Sequence, residues 1–171
     1  MLLTSTADEA HPHVQRTAAR PSRHSQSAGA YPAGLATGLA ERYWGTVPCG
    51  GHVSVQASQP LAVGMDATTD GWATLESSLG PNDLNAPAAS YTACTISLAR
   101  WQWPTRQQQA DDWNMFCLTV VHEMGHLLGH LHSAAPGDVM AAVFTDESSV
   151  PRVCRQARSR VEASAGLAGR R

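Results

Sequence analysis

The sequence predicts a single α+β domain, and three observations carry that prediction. Short alternating segments cluster between residues 52 and 99. A strongly amphipathic helical segment follows them and a weaker helical pattern precedes them, so strands and helices are segregated rather than interleaved. No apolar run approaches roughly 18 residues, which leaves no segment suited to crossing a bilayer.

At 171 residues and 43% hydrophobic composition, the chain suits one domain with a real core. A net charge of −2 argues against a general binder of nucleic acid or anionic membrane. Lysine is absent, and half of the twelve basic residues are arginines between Arg152 and Arg171, which read as a solvated tail rather than a binding patch.

In chain order, residues 1–28 are rich in Ser, Thr, Ala, Arg and His without apolar periodicity, and read as a disordered N-terminal segment. His11, His13 and His24 read as solvated. Residues 29–160 form the expected folded domain, and 161–171 a flexible tail. Tyr31 to Trp44 reads as a helix, with Pro32 in its first turn and Leu35, Leu39 and Tyr43 at helical spacing. Gly45 to Gly51 is a turn-rich link. His52 to Ala57, Leu61 to Met65 and Trp72 to Ser77 are candidate strands, and Cys94 to Ala99 gives the clearest strand signal. Gly80 to Ser90 is a loop. Arg100 to Asp112 reads as a surface connection, in which Trp101 and Trp103 are expected to pack on the following helix rather than line a cleft. Asp111 and Asp112 suit the positive end of that helix. Pro151 to about Ser164 is a final candidate helix.

Four cysteines, Cys49, Cys94, Cys117 and Cys154, form no C-x-x-C pair, which disfavours a structural thiolate site. Two disulfides are favoured over free thiols. Of three possible connectivities, Cys49–Cys94 with Cys117–Cys154 is the working expectation, with an inert buried thiol the plainer reading of Cys117. Met1-Leu2-Leu3 is followed by polar residues with no h-region, so no signal peptide is visible, although secretion is the compartment expected for a disulfide-bonded hydrolase.

The informative stretch is Val120-Val121-His122-Glu123-Met124-Gly125-His126-Leu127-Leu128-Gly129-His130-Leu131-His132, an H-E-x-x-H motif extended to H-E-x-x-H-x-x-G-x-x-H. On a helix His122 and His126 lie one turn apart, where two imidazoles can converge on one zinc ion, and Glu123 can take a proton from a zinc-bound water. At about 100° per residue, Cys117, Val120, Val121, Met124, Leu127, Leu128 and Leu131 fall in one packing arc, with the histidines opposite. Gly129 lets the chain leave the helix with positive φ, so His132 is favoured as third ligand. His130 competes, but along a continued helix it would stand about 12 Å above His122.

This long motif, with Met140 eight residues beyond His132, resembles the metzincin metallopeptidases. His122-Glu123-Met124-Gly125-His126-Leu127-Leu128-Gly129-His130-Leu131-His132-Ser133 is most similar to their matrixin branch, as are Asn114-Met115-Phe116 and the Ile96-Ser97-Leu98 strand with Trp101 or Trp103. The resemblance covers about residues 94–140. It implies a metzincin-like twisted mixed sheet packed on an active-site helix, followed by a Met-turn at Met140. It also implies a zinc-dependent endopeptidase with ligands His122, His126 and His132 and general base Glu123. One catalytic zinc is expected, while Asp66, Asp70 and Asp83 are too scattered to assign calcium. An antiparallel edge strand, for which Trp72 to Ser77 is the candidate, would pair with an extended protein or peptide substrate. Departures are the lack of a clear first strand, the lack of an aspartate-rich segment, and Ala141-Ala142 where some metzincins carry a tyrosine. Pro48-Cys49-Gly50 is faintly similar to an inhibitory cysteine switch, with a disulfide the stronger reading. No nucleic acid or membrane partner is expected, and a monomer is the default. The alternative from another class is a non-catalytic, zinc-stabilised secreted module that binds peptide without cutting it.

Overall fold

A computed structural model describes residues 31–59, 69–77, 80–81, 91–144 and 146–168. The N-terminal segment and the candidate strand Leu61 to Met65 lie outside the described residues. Helix α1 (Ala33–Trp44) is followed by strands β1 (Val53–Gln59), β2 (Gly71–Ser77), the two-residue β3 (Gly80–Pro81) and β4 (Tyr91–Ala99). Helices α2 (Arg106–Asp111), α3 (Trp113–Leu127) and α4 (Arg152–Ala168) complete the order. The fold is mixed α+β, as the segregation of strands and helices predicts.

The sheet order is β1-β4-β2-β3. β1 runs parallel to β4, with Val53 opposite Cys94, and β2 runs antiparallel to it, with Leu75 opposite Cys94 and Gly71 opposite Leu98. β4 is therefore central. Its Cys94, Ile96 and Leu98 are buried, but so are Ser97 and Ala99 on the alternate phase, as suits a strand covered on both faces. Along β2 the candidate edge segment is antiparallel to β4, and only β3 flanks its far end among the described residues.

Helix α3 packs on the sheet, on α1 and on α4. Cys117, Val120, Val121 and Met124 are fully buried and Leu127 nearly so, as the helical arc predicts. Two departures share one cause. Leu128 is only half-buried and Leu131 is 85% exposed. The helix ends at Leu127, so its periodicity no longer governs the residues beyond it. Outside that arc, Phe116 and Glu123 at its margin and Thr119 and His122 opposite it are buried too, so α3 is a central helix rather than an amphipathic surface one.

The connection before α3 also differs from its reading as irregular surface. Thr105 accepts the Gln108 N–H and caps α2, whose Gln109 and Ala110 are buried. Trp103 is fully buried, donates from its indole to Asp112 at 3.0 Å and meets Phe116 edge-on, whereas Trp101 is 44% exposed. At the C-terminus α4 continues through 161, where the sequence predicts a flexible tail, to Ala168. The buried spacing Cys154, Ala157, Val161 explains the extension, because Val161 docks in the core.

Both expected disulfides form. Cys49–Cys94 ties the α1–β1 link to β4, and Cys117–Cys154 ties α3 to α4 with Cα atoms 5.8 Å apart. Trp113 reinforces the second by donating to the Cys154 carbonyl at 2.8 Å. The Cys117–Cys154 bond spans 37 residues of sequence, and loop-closure entropy gives it a stabilising effect of about 4 kcal/mol. A Cys117→Ala/Cys154→Ala double variant is expected to lose about 2–4 kcal/mol in denaturant titration. A loss below about 1 kcal/mol would show that the helix pair holds without its cross-link.

Candidate metal centre

His122 and His126 sit one turn apart on α3, and the chain after the helix brings a third imidazole to them. Leu128 caps the C-terminus of the helix and Gly129 follows at φ 89°. The His130 N–H donates to the Gly125 carbonyl and the Gly129 N–H to the His126 carbonyl, both at 3.0 Å. These two bonds form a Schellman closure, which requires the left-handed residue that glycine supplies. The reversal carries His132 back over the helix.

The three imidazoles converge through their Nε2 atoms. His126 Nε2 lies 3.0 Å from His122 Nε2 and 3.1 Å from His132 Nε2. The ring centroids are 4.7 to 5.2 Å apart. Among the described residues this is the group with the geometry to hold a metal ion. His130 is not part of it. Its exposed ring stacks on Trp44 instead, with centroids 4.4 Å apart.

The Nδ1 atoms explain why the convergence suits a cation. His122 Nδ1 lies 2.9 Å from the Val139 carbonyl oxygen, and His126 Nδ1 lies 2.8 Å from that of His130. A carbonyl only accepts, so each Nδ1 carries the proton and each neutral ring presents a bare Nε2 lone pair. Lone pairs about 3 Å apart cannot hydrogen-bond to one another, and a dication between them converts repulsion into ligation. Zinc with imidazole ligands fits this donor set.

Burial lowers His122 to about 4, outweighing the Val139 bond that favours its charged form, and His126 is lowered for the same reason. Both rings therefore stay neutral at physiological pH, the form that binds metal. Glu123, 5% exposed, lies beside them. Burial raises its carboxyl to about 8, against a smaller lowering by a bond from the Ala73 N–H of β2.

Met140 is buried beneath the helix. A Cβ added at Gly125 would collide with its sulfur and lie 2.7 Å from Trp44 Cζ2, so glycine at 125 is what lets both side chains approach. The Met140 N–H donates to Asp138 at 2.8 Å and its carbonyl accepts from the Ser133 N–H at 2.8 Å. That turn also presents the Val139 carbonyl to His122.

Three neighbours carry no signal in the sequence that singles them out. Phe144 meets His122 edge-on at 5.3 Å, Ala73 reaches Glu123, and Trp44 stacks on His130. From sequence Trp44 is only part of a helix, and Phe144 lies beyond the Ala141-Ala142 pair where a tyrosine is missing. A cavity of about 670 Å³ opens beside His126, between Val47 and Pro48, Ala73 and Leu75, and Leu128 and His130.

Residues 80–156 match the family model of the matrixins. No curated protein and no solved structure matches the chain.

Without metal, the two buried groups act on stability in opposite senses. Glu123 stays protonated in the fold to about 8 while the unfolded chain ionises near 4.5, so stability is lost as pH rises across that interval. His122 stays neutral in the fold down to about 4 while the unfolded chain is protonated below 6.5, so stability is lost as pH falls from 6.5. Above 6.5 the Glu123 effect acts alone. Chelator-treated protein is expected to lose up to about 2 kcal/mol between roughly pH 6.5 and pH 8 in denaturant titrations. Glu123→Gln should flatten that interval, and a flat wild-type profile would show that burial does not govern this carboxyl.

Proposed function

We propose that this chain, matrixin-like over residues 80–156, is a zinc-dependent endopeptidase with His122, His126 and His132 as metal ligands and Glu123 as general base. The observation that carries this reading is the convergence of three imidazole Nε2 atoms beside a buried carboxylate. Three protein ligands leave a fourth position open, as a catalytic rather than a structural zinc site requires. This, with the buried Glu123, disfavours a module that binds peptide without cutting it.

Zinc held there would supply a Lewis acid that polarises the scissile carbonyl and brings the pKa of a water near neutrality. Glu123 would be the group placed to accept a proton from an attacking water and to return it to the leaving amine. A dication beside Glu123 favours its ionised form, offsetting the effect of burial. The Ala73 N–H fixes the orientation of the carboxylate. Met140 acts as an apolar Met-turn floor beneath the ligands, supported by its burial and its contact with Gly125.

β2 serves as the strand on which an extended protein or peptide substrate pairs, supported by its antiparallel run beside Glu123. The cavity beside His126 has room for a substrate side chain. Residues 29–160 carry the catalytic unit, and beyond them Val161 and Ala165 of α4 pack against its core. Two disulfides and the matrixin match support secretion of the protein. No helix among the described residues is long and apolar enough to cross a membrane.

Glu123→Ala is expected to retain stoichiometric zinc and to cleave an unfolded protein substrate roughly 10²–10⁴-fold more slowly than wild type. Equal cleavage rates would overturn the mechanism. In parallel zinc titrations, His132→Ala should lose far more affinity than His130→Ala. The reverse order would reassign the third ligand.

A further inference from the structure

We propose that Trp44 is a positioning residue for the metal centre, acting through His130 on His126. The proposal rests on the zinc reading above and adds to it a side chain from the far end of α1. Trp44 touches the motif helix and its exit turn at three places. Its indole Nε1 donates to the Val121 carbonyl at 2.9 Å, one residue before His122. Its Cζ2 edge faces Gly125, where an added Cβ would lie 2.7 Å away. Its ring stacks on His130 with centroids 4.4 Å apart and planes 21° from parallel.

His130 is the link. Its carbonyl accepts the His126 Nδ1 proton at 2.8 Å, and its own N–H donates to the Gly125 carbonyl at 3.0 Å. The stacked ring thus steadies the residue whose backbone sets the tautomer and orientation of His126. A partner that holds Nδ1–H fixes which nitrogen a metal meets. Trp44 does not itself approach the converged Nε2 atoms, and so acts through another residue.

A tryptophan serving only the core would bury its ring among apolar side chains. Trp44 is half-buried and stacks on an exposed imidazole three residues past the helix end. Its inner side packs against the core beside the buried Ala36, Leu39 and Ala40 of the same helix, while its other contacts reach the motif helix and the exit turn. The Trp44 indole also anchors α1 to the motif helix by the Val121 bond, so the stack is held from a fixed base.

The test compares wild type with Trp44→Leu, Trp44→Phe and Leu39→Ala in the full chain. Zinc affinity is read by chelator competition, the His126 tautomer in metal-free protein by ¹⁵N NMR, and stability by thermal unfolding. Trp44→Leu should weaken zinc binding by about 3–10-fold, below the roughly 10–100-fold cost of losing a group bonded directly to a ligand, and should let the His126 ring populate both tautomers. Trp44→Phe retains a stacking face and should recover most of the affinity and the single tautomer. Leu39→Ala, on the same helix but away from His130, should lower the unfolding midpoint while leaving affinity and tautomer as in wild type. Unchanged zinc affinity and tautomer in Trp44→Leu would overturn the proposal. So would an equal loss of affinity in Leu39→Ala, which would make α1 a scaffold and no more. Should wild type take up no zinc, the peptidase reading falls, while the tautomer comparison still decides the role of Trp44.

Discussion

The structure depends on one constraint: its most polar helix turn runs through its driest place. α3 is buried nearly all round, yet carries two imidazoles and a carboxyl. Burying such groups without partners costs several kcal/mol each, about 1–3 for a neutral donor or acceptor and more for a charge. Each is therefore met by a different part of the chain. Val139 and His130 supply carbonyls to the rings, and Ala73 supplies an N–H to Glu123. One buried side-chain atom among the described residues, Asn114 Oδ1, has no hydrogen-bond partner, although its amide donates to Glu147 at 3.0 Å. Satisfying the centre thus requires the sheet, the exit turn and the Met140 turn to assemble together.

How much of this is legible in the sequence depends on the range of the interactions involved. The zinc motif can be read because its logic is local: helical spacing sets His122 against His126, and Gly129 marks where the helix must stop. The preference for His132 over His130 rests on the same local geometry. The disulfide pairing comes out as expected, with Cys117 and Cys154 joined across two helices. Contacts made by residues without a spacing rule are illegible. Nothing in the sequence marks Ala73 as the partner of Glu123, since that depends on β2 lying beside α3. Leu131 misleads for a related reason, as its helical phase is correct but the helix has already ended. The burial of Thr119, His122 and Glu123 away from the apolar arc of α3 escapes because periodicity registers apolar residues and is blind to polar ones that are buried with partners.

β4 explains why the cross-links fall where they do. It is paired on both sides, and Cys94 stands opposite Val53 on one neighbour and Leu75 on the other. The bond to Cys49 therefore fastens the α1–β1 link to the centre of the sheet rather than to an edge. That link also borders the cavity beside His126 through Val47 and Pro48. Cys117 plays the matching part in the helical layer, where Trp113 adds a second tie to α4. Each layer around the metal centre is thus cross-linked at its middle.

The segment after the third histidine forms a closed neck. Ser133 donates to the Met140 carbonyl and pairs with Ala141, while residues 134–137 between them are all exposed. His132 and Met140 flank that neck and share one rigid base. Within it the Ala135 N–H donates to Ser133 Oγ and the Ala135 carbonyl accepts from the Asp138 N–H, so the exposed residues form a tab tied across its own base. Exposed tips tied at both ends are where changes are best tolerated, so the exposed Pro136 offers a place to attach a label near the three histidines.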